Sequence, residues 1–219
     1  MWERFGDRHE AGRVLADALR SYAGRDDLLV LALPRGGVPV GYEVARALGA
    51  PLDVMLVRKL GVPGHEELAM GAIASGGVRI VSDDVVEALR IPERVIAIVA
   101  AAEAQELERR ERAYREGRPF PDVSGKVVIL VDDGLATGST MRAAVATLRA
   151  LGAGRVVAAV PVAPPETCTA LREVVDEMIC ALTPEPFLAV GAWYEDFTET
   201  SDKTVRELLH RAAEIGVRP

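Results

Sequence analysis

The sequence predicts an α/β fold: one doubly wound, mainly parallel sheet with helices on both faces, carried with a helical insertion in a single domain spanning residues 1–219. Short apolar runs rich in β-branched residues recur along the chain, and segments of helical periodicity separate them. That alternation is the pattern of strands buried on both faces of a parallel sheet. Composition agrees. The chain is 49% hydrophobic and 27% charged, ordinary for a packed globular protein, and only 5% aromatic, so aliphatic side chains must fill the core.

The first strand is Leu28–Leu33 (LLVLAL), bounded by the charged Arg25–Asp27 and the turn-rich Pro34–Pro39. Asp53–Val57, Val78–Val81, Val127–Val131 and Val156–Val160 read the same way. Helical patterns cover Glu10–Tyr22, Val40–Leu48, Thr140–Leu151, Glu166–Val175 and Asp202–Ile215. Pro92–Arg118 interrupts the alternation as the insertion, with Pro92 at a first-turn position and Gly117 and Pro119 as stop signals. Glu106 with Arg110 and Glu108 with Arg112 are four-residue pairs that favour a solvated helix. Arg109, Arg110, Arg112 and Arg115 could alternatively face a phosphate or a second subunit; a homodimer is the expected assembly.

A net charge of −7 argues against a nucleic-acid or membrane partner, both of which present negative charge. It leaves room for small anions held in a locally positive cleft. The two cysteines, Cys168 and Cys180, form no CxxC pair or Cys/His cluster and read as free thiols of a reducing compartment. No apolar run is long enough for a membrane span, and MWERFGDRHE does not read as a signal peptide, so the expected location is cytoplasmic.

The strongest chemical signal is Val128–Thr140, VILVDDGLATGST. A buried strand delivers Asp132 and Asp133, then Gly134, Leu135, Ala136, Thr137, Gly138, Ser139 and Thr140 lead into an amphipathic helix. Ligands of open parallel sheets bind beyond the carboxyl ends of strands. The loop-to-helix junction offers unpaired N–H groups and the positive end of the helix dipole to a phosphate. Gly134 and Gly138 allow close approach, and Thr137, Ser139 and Thr140 add hydroxyl donors. A phosphate alone would be repelled by Asp132 and Asp133, so these carboxylates need another task, such as accepting from vicinal sugar hydroxyls directly or through Mg²⁺-bound water. A plain Asp-Gly turn and a capped helix would explain the fragments but not their ordered coincidence. Neither a Walker A loop nor a GxGxxG is present.

VILVDDGLATGST resembles the motif by which type I phosphoribosyltransferases bind 5-phosphoribosyl-1-pyrophosphate (PRPP), and the βα order matches that family over about Leu28–Val160. The resemblance implies that Asp132 and Asp133 contact the ribose hydroxyls, that Ala136–Thr140 bind the 5-phosphate, and that Mg²⁺-PRPP is the substrate. It implies dissociative transfer of ribose 5-phosphate to a small planar, nucleobase-like acceptor, with release of pyrophosphate. A PRPP-sensing regulator without catalysis is the alternative from another class, though the acidic chain shows no obvious helix-turn-helix. Action on another phosphorylated sugar is a third.

Pro34-Arg35-Gly36-Gly37 follows the first strand, so Gly36 and Gly37 could aim amides at an anion with Arg35 as a cationic clamp. By resemblance this is the pyrophosphate loop, and Pro34–Arg35 is expected to be cis. Arg58 and Lys59 read as the end of a strand before a mobile lid, Gly61–Glu67 with His65; related enzymes use such a pair on pyrophosphate, with Lys59 taken as catalytic beside the acidic pair. The family builds a base-binding hood from variable segments. Residues 184–200 are the candidate here, since Phe187–Phe197 concentrates four of the ten aromatics. Trp193, Tyr194 and Phe197 could stack on a base and Glu195 accept ring N–H groups. Relatives acting on 6-oxopurines place an acid where this chain has Ala136, so hypoxanthine and guanine are the disfavoured acceptors.

Overall fold

The computed structural model describes residues 4–216. Helix α1 (Arg8–Ala18) leads into β1 (Leu28–Ala32), α2 (Gly37–Leu48) and β2 (Leu52–Val54). The chain then leaves the sheet as β3 (Val57–Val62), β4 (His65–Ala74) and β5 (Arg79–Val81), followed by α3 (Asp83–Leu89) and α4 (Glu93–Arg115). It returns through β6 (Val127–Val131), α5 (Ser139–Ala150), β7 (Arg155–Val162), α6 (Pro165–Arg172), β8 (Glu177–Leu182) and α7 (Asp202–Gly216).

Five strands form an all-parallel sheet in the order β2-β1-β6-β7-β8. Every residue of β1 and β6 is buried, as their unbroken apolar runs require. Alternate side chains divide between two cores. Leu28, Val30, Val127 and Ile129 pack with Leu15 of α1, its C-cap Leu19, and Val40 and Val44 of α2. Leu29, Leu31, Val128 and Leu130 pack with Met141 and Leu148 of α5 and Cys168 and Leu171 of α6. The helices therefore cover both faces, as expected. From β1 the chain crosses by α2 to β2, and from β6 by α5 to β7 on the other side. The order reverses between β1 and β6, and this topological switch point opens a crevice at their carboxyl ends.

Three expectations are corrected. Val78–Val81 contributes β5, but to a separate antiparallel sheet, β3-β4-β5, since no helix separates it from the preceding strands. The Asp53–Val57 run breaks in two: β2 ends at Val54, and the buried Met55-Leu56 link carries the chain into β3. Arg58 and Lys59 thus lie inside β3, not at a strand terminus. The Gly61–Glu67 segment is a hairpin tip, with Val62 paired to His65 across Pro63-Gly64 and Gly64 at φ 80°, a turn geometry glycine supplies at no steric cost.

The 92–118 region is one 23-residue helix, α4, with Pro92 as its N-cap residue rather than inside the first turn. Its charged face is exposed and carries the Glu106–Arg110 pair at 2.8 Å. It is not wholly solvated, however. Ile96, Ala100, Leu107 and Tyr114 form a buried stripe against β3, β4 and α7. Burying Ile96 or Leu107 contributes ~1.5–3 kcal/mol each, which docks the helix despite its charge. Arg115, read as a surface cation, is 1% exposed. Asp53, at 2.9 Å from its Nε, draws it into the core.

Candidate functional site

The crevice at the switch point brings together the two loops that the sequence marks. Leu33 N–H donates to the Val131 carbonyl at 2.8 Å, so the β1 and β6 loops leave the sheet side by side. Pro34–Arg35 is a cis peptide, as expected. A Cβ at Gly36 would overlap the Asp133 carboxylate, and one at Gly37 would stand 2.9 Å from the Val131 carbonyl. Glycine is required because the loop backbone presses directly on the acidic pair. Leu135 N–H donates to the Val162 carbonyl at 2.9 Å, and Thr167 on α6 donates to the Ala136 carbonyl at 2.6 Å. The small-residue loop is therefore anchored at its middle. Gly138, at φ 71°, caps α5 in the left-handed region, and Ser139 opens the helix. The first-turn N–H groups of α5 have no partner within the helix. Ala136, Thr137 and Ser139 are exposed around them, giving an open cradle.

The acidic pair is half-buried. Asp132 Oδ1 accepts from the Asp133 N–H at 2.9 Å, and Asp133 Oδ2 accepts from Arg8 Nε at 2.8 Å. Burial, then the neighbouring Asp133 charge, pushes the Asp132 carboxyl well above the usual carboxylate range. Burial also raises Asp133, while the Arg8 guanidinium works against that rise. Among the described residues no group of three or more His, Cys, Asp or Glu side chains could cage a metal. The pair fits a Mg²⁺ ion that brings most of its ligands with it, as water and substrate phosphates.

Arg8 is the residue that motif reading missed. It is the first residue of α1, after the N-cap Asp7, and its Nη1 donates to the Thr198 carbonyl at 2.7 Å. Tyr194 is buried beneath the site, where its hydroxyl donates to the Asp133 carbonyl at 2.5 Å and its ring lies 5.6 Å from Phe5. Burial, then the nearby Asp133 charge, raises its pKa, so it stays a neutral donor. The hood segment is a 3₁₀ turn, Val190–Trp193, followed by the exposed Glu195. Trp193 is half-buried, with its indole N–H enclosed and unpaired among the described residues. Phe197 is 37% exposed and takes Arg8 on one ring face.

The remaining cations separate. Arg35 ion-pairs with Glu199 and stands 3.7 Å from Asp202, at the start of α7. Arg58 pairs with Glu103 of α4 at 2.6 Å. Lys59 is exposed, on the face of β3 shared with Val57, which packs at the edge of the α5–α6 side core. His65 is exposed at the hairpin tip.

A family model described as the phosphoribosyl transferase domain matches residues 1–186. The chain belongs to the phosphoribosyltransferase family. Its switch-point crevice and parallel sheet are those of the type I fold. It is 47% identical, over 208 residues, to a Mycobacterium tuberculosis protein provisionally named as a phosphoribosyl transferase. The match covers 95% of this chain and 47% of that protein, so the chain spans about half the length of this curated relative. It is 33% identical to a ribose-phosphate pyrophosphokinase of Methanopyrus kandleri over 142 residues, 56% of this chain and 49% of that one. The crystal structure of a Thermus thermophilus protein, TT1426, superposes with a TM-score of 0.85 at 43% identity, covering 95% of this chain and 98% of that one. The matched family region stops short of Phe187–Phe197 and α7, so the phosphoribosyltransferase model covers the two loops but not the hood candidate. Among the described residues no helix is long and apolar enough to cross a membrane.

Proposed function

We propose that this chain transfers ribose 5-phosphate from Mg²⁺-PRPP to a planar nitrogenous acceptor, releasing pyrophosphate. The observation that carries this reading is the contact of Gly36 and Gly37 with the Asp132–Asp133 turn. It sets a loop suited to pyrophosphate against carboxylates suited to the ribose, with the α5 cradle beyond for the 5-phosphate. In the reaction the bond from ribose C1 to the pyrophosphate oxygen breaks, and its electron pair leaves with pyrophosphate. An acceptor nitrogen forms the new bond to C1, and its proton passes to the departing pyrophosphate. The developing positive charge on the sugar lies beside Asp132 and Asp133, where electrostatic stabilisation counts most. Asp132 and Asp133 would hold a substrate-borne Mg²⁺ through water, and that ion would supply neutralising charge for the leaving pyrophosphate. Arg35 serves the pyrophosphate after exchanging its Glu199 and Asp202 partners, and Lys59 approaches from the hairpin.

The hood of residues 184–200 carries the acceptor. Trp193 and Phe197 offer apolar surface and Glu195 an exposed carboxylate, whereas Tyr194 is committed to the Asp133 carbonyl. Ala136 offers no acid or base to a 6-oxopurine. The test is pyrophosphate release with PRPP, Mg²⁺ and, in turn, adenine, uracil, hypoxanthine, guanine, xanthine and orotate. Turnover with adenine or uracil supports the reading, and preference for hypoxanthine or guanine overturns the role given to Ala136. Tight PRPP binding without turnover on any base would favour a sensor.

A further inference from the structure

Arg8 sits where local helix chemistry disfavours it. A guanidinium in the first turn meets the positive end of the helix dipole, an unfavourable placement unless another interaction outweighs it. The side chain is nonetheless buried, with the residue 9% exposed. Its Nε–H binds Asp133 Oδ2 at 2.8 Å, its Nη1 binds the Thr198 carbonyl at 2.7 Å, and its Cζ stacks 3.9 Å from the Phe197 ring centroid. A Cβ at Gly36 would come within 3.2 Å of Nε. One side chain thus touches the acidic pair and the hood, and lies directly beneath the glycine loop.

The geometry points to Arg8 as a positioning residue that fixes the Asp133 carboxylate and holds the hood against it, so that ribose and acceptor sides keep one register. This inference rests on the proposed PRPP site. The Nε–H bond at Oδ2 selects one orientation of Asp133, and the Asp133 amide does the same for Asp132 through Oδ1. Among the described residues no N–H donates to the other oxygen of either carboxylate. Two oxygens held this way suit two vicinal hydroxyls. The second Arg8 bond and the Phe197 stack extend the same constraint to residues 197–198, beside the Tyr194 bond to the Asp133 carbonyl. Fixing the fork of a guanidinium by three partners at once is what an arginine does and a lysine cannot.

The test measures Mg²⁺-PRPP affinity by calorimetry on the full chain, with folding followed by circular dichroism. Arg8→Met keeps the apolar stem and should weaken binding by at least about tenfold, the loss expected when a charge-assisted bond to the binding carboxylate goes. Arg8→Lys keeps the cation and should recover PRPP affinity to within about threefold, while leaving the hood contact broken. With an acceptor from the base screen, Arg8→Lys should therefore raise the acceptor KM more than the PRPP KM. A folded Arg8→Met that binds within about twofold of the parent chain overturns the inference, as does an Arg8→Lys variant as weak as Arg8→Met. If Arg8→Met does not fold, Arg8→Gln takes its place with the same limits. Failure of the parent chain itself to bind Mg²⁺-PRPP would instead sink the functional reading beneath it.

Discussion

Replacing Arg115 by Met should loosen the base of the β3–β4 hairpin as well as the core. The guanidinium is fully enclosed. Its Nε donates to Asp53 Oδ1 at 2.9 Å, Nη1 to Glu111 at 2.7 Å, and Nη2 to the Val54 carbonyl at 2.5 Å, with Ser75 Oγ 3.4 Å away. Val54 ends β2 and Ser75 follows β4, and these two points are joined further by Leu56 N–H to Ser75 Oγ at 3.0 Å. Arg115 therefore staples the place where the chain leaves the main sheet to the place where the hairpin returns. Methionine fills similar volume but leaves Asp53, 9% exposed, without its counter-charge. Breaking one side of a buried pair costs about 3–5 kcal/mol. At about 2–4 °C per kcal/mol for a chain of this size, the midpoint of thermal unfolding should fall by roughly 6–20 °C. Amide exchange at Leu56 and Ser75 should accelerate together. The assay is thermal unfolding by circular dichroism with hydrogen exchange read by mass spectrometry. A midpoint within about 2 °C of the parent would show that Arg115 is not the staple described.

Gly36→Ala places a methyl on the Asp133 carboxylate, so calorimetric Mg²⁺-PRPP affinity should drop by more than about tenfold while the circular dichroism spectrum is kept; binding within twofold contradicts the contact. Thr167→Val removes the 2.6 Å bond to the Ala136 carbonyl, worth about 1 kcal/mol, and should weaken PRPP binding roughly fivefold through a looser loop, as read by titration. Asp176 carries an acid-sensitive part of the stability. Burial opposes its ionisation, but the Val156 amide and Arg149 outweigh burial and hold the carboxyl below its ordinary 3.8. A folded value below the unfolded one contributes stability that is present above about pH 3.8 and lost as the pH falls through the folded value. Asp176→Asn should lower the unfolding midpoint at pH 7 and flatten its fall between about pH 5 and pH 3; an unchanged acid slope would argue against this source.

The parts of the site that are contiguous in sequence were legible. The strand, the acidic pair and the loop into α5 are one local run, and Gly36-Gly37 follows another buried strand, so topology alone brings the two together. The parts built by distant chain segments were not. Arg8 meets Asp133 across 125 residues and Tyr194 meets it across 61, and no spacing rule links such positions. The one signal for Arg8 was a cation directly after the Asp7 cap, against the helix dipole. Strand β4 was hidden because its first half, His65-Glu66-Glu67-Leu68, is exposed and charged, although Pro63-Gly64 is a turn signal. Arg115 was lost in a run of surface-like arginines; only its partner Asp53, a charge at the start of an apolar strand, marked a buried pair.

The central claim is that the β1 and β6 loops form one PRPP site with Asp132 and Asp133 as its ribose contacts. Its most direct test is isothermal calorimetry of Mg²⁺-PRPP against the parent chain and against Asp132→Asn/Asp133→Asn. Each charge-assisted hydrogen bond to the ribose contributes roughly 1.5–3 kcal/mol, so a folded double variant should lose well over about tenfold in affinity. Equal affinity in the two proteins, both folded by circular dichroism, would contradict the account.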